Sequence, residues 1–420
     1  MTDVWSVDEH RDDVLRAVRP LDPIELPLLD AAGCVLVEDV IVPAPLPPFD
    51  NSSMDGYAVR TADVESASER FPAVLTVVGD IAAGSGELPV VGPGEAARIM
   101  TGAPLPPGAQ AVVPVEWTDG GTGAGPADAM TGRDHGPEVR VHRPARAGAH
   151  IRARGSDAAA GSVAVPAGTI LGPPQLGLLA AIGRATAPVR PRPRVVVLST
   201  GSELAAPGER LEPGQIHDAN GYMLTAAARD AGAVAYRVAA VADDAATLRA
   251  TLEDQLVRAD LVVTSGGVSV GAYDVVKEAL AGRAEFRRLA MQPGKPQGFG
   301  LLGPARTPLF ALPGNPVSAY VSFELFVRPA LRALAGHGED ALHRPRTTAR
   351  LVTDAPLASP AGKRQYLRGS YSPADRTVRP VGGPSSHLVA ALARADALIE
   401  IPETVTEAAA GAELTVVLLG

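Results

Sequence analysis

A multi-domain α/β-plus-β protein is the fold class this sequence predicts, centred on one parallel, doubly wound sheet. Three observations carry it. Wholly apolar strands alternate with helical stretches between residues 194 and 326. Short strands separated by Gly and Pro turns lie on either side of that segment. The chain has 420 residues and 46% hydrophobic side chains, enough for several cores. At the usual domain size that length suggests roughly three domains.

The sheet segment, residues 188–335, gives the clearest pattern. Val195-Val196-Val197-Leu198 and Leu261-Val262-Val263-Thr264 are continuous apolar runs, as expected of strands covered on both faces. Residues 220–229 read as a helix ended by Gly232, and 234–241 as a strand. Residues 245–257 read as a helix with Asp243 or Asp244 as N-cap. A helix at 273–280, a strand at 309–312 and a helix at 316–326 complete the alternation.

The flanks differ. Residues 6–19 form a first helix, with Ser6 and Glu9 as a capping box. Residues 47–146 are an all-β domain, with strands at 75–78, 97–100, 111–115 and 138–142. Residues 1–46 and 147–187 make a mixed domain with one apolar helix at 174–182. Pro188, Pro191 and Pro193 read as a linker into the sheet segment. Residues 344–420 return to short alternating strands, a small C-terminal β domain.

Composition excludes several functions. The net charge of −9 lacks the basic balance of a nucleic-acid binder. The single cysteine, Cys34, allows neither an intrachain disulfide nor a cysteine-based zinc site. No apolar run reaches the ~20 residues of a membrane span. The first residues lack a basic and then apolar leader, so a cytoplasmic location is expected. Of 38 basic residues only Lys277, Lys295 and Lys363 are lysines, which suggests positions that need a compact point charge.

In an open parallel sheet, ligands bind beyond the carboxyl ends of the strands. Three loops leave strands there. The first is Ser199-Thr200-Gly201-Ser202-Glu203. The second, residues 265–274, offers Gly266 and Gly267 for close backbone approach, hydroxyls from Ser265 and Ser269, and the carboxylate of Asp274. The third is Pro313-Gly314-Asn315-Pro316-Val317-Ser318, where Asn315 can cap the helix and Pro316 sits at its first position. One such loop could be an ordinary capped turn. Three on one sheet edge point to an anion or phosphate site, and a carboxylate beside phosphates points to Mg2+.

Two motifs lead elsewhere. Gly267-Val268-Ser269-Val270-Gly271 fits the nucleophile elbow of α/β-hydrolases, but no oxyanion segment precedes it and His387 lies in the C-terminal β domain. Gly121-Thr122-Gly123-Ala124-Gly125 has the wrong spacing for a phosphate loop.

The motifs resemble one family, MoeA, the molybdopterin molybdenumtransferases related to the E domains of gephyrin and plant Cnx1. The resemblance runs through residues 31–40, Pro47-Pro48-Phe49-Asp50-Asn51-Ser52-Ser53-Met54-Asp55-Gly56-Tyr57-Ala58, Arg98-Ile99-Met100-Thr101-Gly102-Ala103-Pro104, the three loops and Gly294-Lys295-Pro296. It implies an elongated four-part subunit with an adenylyltransferase-like sheet domain, and a homodimer whose site is shared between subunits. The implied reaction takes adenylylated molybdopterin and molybdate, with Mg2+, to molybdenum cofactor and AMP. An adenylyltransferase partner would deliver the substrate. Matched residue by residue, the catalytic set is Asp55, Thr101, Glu203, Asp243, Asp274 and Lys295, with Asp274, Glu203 and Asp243 as metal ligands. Ser265, Gly266, Gly267, Ser269, Lys277, Pro296, Pro313, Gly314, Asn315, Pro316 and Ser318 would bind substrate, together with Lys363, Arg368 and Ser386 from the C-terminal domain. Gln292 and Ser202 depart from the family pattern, where lysine and an acid are common. Adenylyl transfer itself, or a non-catalytic scaffold on the same fold, are the alternatives.

Overall fold

The computed structural model describes residues 4–130, 132, 136–241, 244–267 and 275–420. They form two compact units. One comprises residues 1–37, 168–172 and 186–420, the other residues 38–167 and 173–185.

The first unit holds the expected sheet. Its strands are β1 (Arg194–Thr200), β2 (Val234–Val241), β3 (Leu261–Ser265), β4 (Ala284–Leu289), β5 (Pro296–Leu302) and β6 (Thr307–Leu312). The spatial order is β4-β5-β6-β3-β1-β2, with Val4–Trp5 added parallel to β4 at the edge. Strands β6, β3, β1 and β2 run parallel, in a register that aligns Val196 with Val262 and Val262 with Leu309. Strands β4 and β5 extend them as an antiparallel hairpin, for which residues 284–302 gave no sequence signal. The continuous apolar runs arise because successive side chains enter opposite cores. Val195, Val197, Val263 and Leu312 join one cluster, and Val196, Leu198, Val262 and Ala311 the other.

Helices α1 (Val7–Ala17), α2 (Ala219–Asp230), α3 (Ala245–Leu256), α4 (Val275–Ala279), α5 (Pro316–Ser322) and α6 (Arg328–Leu334) cover those faces. Val14, Leu224, Val317 and Leu331 of α1, α2, α5 and α6 fill the first cluster, while Leu248 and Val276 of α3 and α4 fill the second. The Ser6–Glu9 capping box forms in both directions, at 3.1 and 2.8 Å. Asp244 is the N-cap of α3. The last helix runs past its expected end at 326. A π-helical turn, Phe323–Val327, joins α5 to α6 and precedes Pro329, whose ring removes a backbone donor.

Of the expected linker prolines, Pro191 and Pro193 lie in the short connection into β1, but Pro188 does not. Thr186–Arg190 is a strand, paired antiparallel with Ile24–Pro27 and Val35–Leu36. Ala187 and Val189 are fully buried, and that alternation outweighs the one ladder donor Pro188 lacks. The C-terminal strands close into a barrel. Arg364–Ser372, Thr377–Pro380, Arg346–Leu351, Glu413–Leu418 and Ala397–Ile401 pair in turn, and the last pairs back with the first.

The second unit is built on a five-stranded sheet, ordered Glu138–Val141, Ala73–Ile81, Glu95–Ile99, Gly56–Val59, Ala111–Pro114. Tyr57, Val59 and Val113 fill one face and Ala58, Ile99 and Val112 the other. No helix among the described residues is long and apolar enough to cross a membrane.

Candidate active site

The carboxyl ends of β1, β3 and β6 open onto one cavity of about 750 Å3. Its walls carry Glu203 from the first loop, Ser265, Gly266 and Gly267 from the second, Pro313, Gly314, Asn315, Pro316 and Ser318 from the third, and Pro296 from the start of β5. Ten residues named from the sequence therefore meet at one place.

The glycines are there for space. Gly266 has φ +104°, and a Cβ on it would lie 2.5 Å from the Thr200 carbonyl oxygen. Gly267 has φ +63°, and its Cβ would lie 2.7 Å from Val276. Both conformations favour a residue without a side chain, and the bare backbone forms the cavity floor.

Two residues unremarked in the sequence organise these loops. Asn220, in the first turn of α2, donates to Ser265 Oγ at 2.7 Å and to the Gly314 carbonyl at 2.6 Å. It thereby ties the second loop to the third. Asp218 caps α2 through Gly221 N–H at 2.8 Å and accepts from Ser199 Oγ at 2.9 Å. Both line the cavity; Asn220 Oδ1 is buried without a hydrogen-bond partner, and Asp218 Oδ2 faces the Arg237 guanidinium at 3.6 Å. The available signal was His217-Asp218-Ala219-Asn220, an Asp at a helix start followed by an Asn facing two loops.

The third loop departs from expectation. Asn315 stands at the N-cap position but makes no side-chain cap bond. The Val317 N–H is already taken by the Ser386 carbonyl, at 3.0 Å. Ser386 therefore reaches this helix start through its backbone. His387, placed beyond the sheet from sequence, lies on the cavity wall.

The cations are distributed. Lys295 is exposed and directly precedes Pro296, and Lys277 is half-buried on α4. Lys363 sits half-buried just before the first barrel strand. Arg368 is buried and is no cavity wall residue; its guanidinium donates to the carbonyls of Val381, Gly383 and Ser385, pinning the loop that leads to Ser386 and His387. Asp55 and Thr101 belong to the second unit, where Asp55 Oδ1 accepts from the Thr101 N–H at 2.6 Å and its hydroxyl at 2.8 Å. Asp243, Ser269 and Asp274 lie outside the described residues.

Three family models match the chain in order. The MoeA N-terminal region (domain I and II) matches residues 5–183, a probable molybdopterin binding domain residues 196–333, and the MoeA C-terminal region (domain IV) residues 350–419. Molybdopterin molybdenumtransferase 2 of Mycobacterium tuberculosis is 48% identical over 98% of both chains. Molybdopterin molybdenumtransferase of Bacillus subtilis is 34% identical over 89% of this chain and 85% of its own. The crystal structure of the molybdopterin biosynthesis MoeA protein from Pyrococcus horikoshii superposes over the whole of both chains with a TM-score of 0.78 and 33% identity. With the full length matched in sequence and in fold, the chain belongs to the MoeA family.

Proposed function

We propose that this protein transfers molybdenum from molybdate into adenylylated molybdopterin, releasing AMP. The observation that carries the reading is the convergence of three strand-end loops on one cavity in a full-length member of a family whose relatives are named molybdopterin molybdenumtransferase. The cavity's size suits a nucleotide-sized ligand.

The residues fit that substrate. Gly266 and Gly267 let phosphate oxygens approach the backbone, and Ser265 and Ser318 offer hydroxyls. Asn220 holds Ser265 and Gly314 in fixed relation, so the phosphate-facing groups are in place before substrate arrives. Lys295 supplies a mobile positive charge for the incoming oxyanion or for a departing phosphate. Gln292, neutral where relatives commonly carry lysine, leaves Lys295 the cation of this segment.

The donor set also fits Mg2+, because the acids on the wall, Glu203 and Asp218, offer oxygen only. Glu203, with Asp274 and Asp243, would hold the ion, and its contribution would be to polarise the phosphorus–oxygen bond that releases AMP. Asp55 and Thr101 are proposed to serve the site of a second copy in a homodimer, with an adenylyltransferase partner delivering substrate in the cytoplasm.

The test is AMP release from adenylylated molybdopterin by wild type and Asp274→Asn. Loss of release by a variant that stays folded and dimeric is the expected result. Unchanged turnover refutes the metal role. Pyrophosphate release from ATP and molybdopterin without molybdate would refute the assignment in favour of adenylyl transfer.

A further inference from the structure

A second cavity, of about 150 Å3, lies at the other end of the sheet, beneath the residues that lead into β1. Helix α2 connects the two places. Asn220 in its first turn lines the large cavity, and Asp230 at its last turn lines the small one. The helix between them, Ala219–Asp230, sets Asn220 and Asp230 about 15 Å apart.

The walls carry three arginines, Arg190, Arg192 and Arg332. Each guanidinium hydrogen-bonds to a backbone carbonyl, of Leu21, Ala32 and Ala341 respectively. Such bonds hold the side chains in place but leave their charge unneutralised. None of the three has a carboxylate within ion-pair distance among the described residues. The neighbouring arginines contrast with them. Arg328 and Arg344 share the carboxylates of Asp230, at 2.9 and 2.6 Å, and of Glu324, at 3.9 and 2.9 Å. The available acid is therefore already committed to two other cations.

The other titratable walls add no negative charge. Burial raises the Cys34 thiol above its ordinary value, so it stays protonated. Burial, then the positive fields of Arg332 and Arg328, push His337 down to about 4, so it stays neutral. Each guanidinium carries five N–H donors in a planar fork matched to oxyanions, and several remain after the carbonyl bond and, for Arg332, a further contact to His337 Nδ1 at 3.5 Å.

We propose that this cavity binds a single tetrahedral oxyanion of the phosphate, sulfate or molybdate class, clasped by Arg190, Arg192 and Arg332. The volume admits one such group and no nucleoside. The site is distinct from the substrate cavity and does not depend on the reaction assigned there.

Isothermal titration calorimetry of the full chain with phosphate, sulfate, molybdate and AMP, at constant ionic strength against chloride, tests this. Wild type is expected to bind the tetrahedral anions saturably at a site for which AMP does not compete. Arg192→Glu and Arg332→Gln should each weaken that binding about tenfold or more, the loss expected from one charge-assisted contact. Lys295→Gln, at the substrate cavity, should leave it unchanged. Should Arg332→Gln fail to fold, the exposed Arg192→Glu decides alone. A molybdate preference would link the site to the metal substrate, and equal affinities would mark it as a general oxyanion site; both support the proposal. No saturable binding, unchanged affinity in Arg192→Glu, or loss only in Lys295→Gln would overturn it.

Discussion

His10 should make the first unit lose stability in mild acid. It lies on α1, 1% exposed, with its ring edge-on to Phe326 at 4.7 Å and its Nδ1 3.3 Å from Arg287 Nη1. Burial, then the adjacent guanidinium of Arg287, lower its pKa to about 4, from 6.5 in an unstructured chain. The sign follows from proton counting. Below pH 6.5 the unfolded chain takes up a proton that the folded chain refuses, so unfolding is favoured as pH falls. The loss begins near 6.5 and levels off below about 4. At 1.36 kcal/mol per unit, the full effect is about 3 kcal/mol. His10→Leu removes the titrating group and keeps an apolar contact with Phe326. Urea unfolding of both proteins, followed by Trp5 fluorescence in a Trp117→Phe background, should be compared from about pH 7 to 4. His337 and His343, whose pKa values burial also lowers, contribute equally to both proteins. The stability difference should shift by about 3 kcal/mol in favour of the variant as pH falls. Parallel pH profiles for the two would refute the reasoning.

Three further outcomes follow from the same geometry. Gly266→Ala places a Cβ 2.5 Å from the Thr200 carbonyl at φ +104°, and should cost about 2–4 kcal/mol and abolish AMP release. Gly161→Ala, with φ +83° and open space around it, should lower the melting temperature far less. Asn220→Ala and Asn220→Asp both lose the amide that donates to Ser265 and Gly314, so kcat/KM should fall about tenfold in each with the fold intact by circular dichroism. Wild-type rates in the Asp variant would show that the donor is dispensable. Arg344→Met leaves the buried Glu324 with Arg328 at 3.9 Å as its cation among the described residues and should cost about 3 kcal/mol by chemical denaturation, partly recovered by adding Glu324→Gln.

The sheet was legible because its signal is local. Val195–Leu198 and Leu261–Val263 are apolar at every position, and only a strand covered on both faces accepts that. The hairpin of β4 and β5 was not legible. Ala284–Leu289 alternates charge with apolar residues only weakly, and Gly298 and Gly300 interrupt the partner strand. Those glycines are fixed by close neighbours, Phe286 and Ala311 at one and Arg283 and Ala284 at the other, which are tertiary contacts without a sequence period. The strand Thr186–Arg190 was hidden for the opposite reason. Pro188 within it and Pro191 and Pro193 after it signal a break, and only its burial between two partner strands overrides them. In the site, the glycines and prolines that shape backbone were evident. Asn220 and Asp218 were not, because their role is to connect segments far apart in sequence.

An acidic chain that handles anions is no contradiction once distances are considered. The net charge of −9 acts over the whole surface, and at physiological salt its influence decays over about 8 Å. Inside either cavity the nearest groups decide. In the large one, Glu203 brings negative charge beside bare backbone, while Asp218 is already paired with Arg237 at 3.6 Å, and a phosphate there needs an accompanying cation. In the small one, the wall carboxylate of Asp230 is already paired with Arg328 and Arg344, and three guanidiniums remain. The two sites should therefore respond differently to chelation. Removing divalent cations should weaken anion binding at the large cavity and leave the small one unaffected. A titration of molybdate with and without EDTA, on wild type and on Arg192→Glu, separates them. Equal loss at both sites would mean that the arginine cavity, too, depends on a bound cation, and the charge assignment made for it would be wrong.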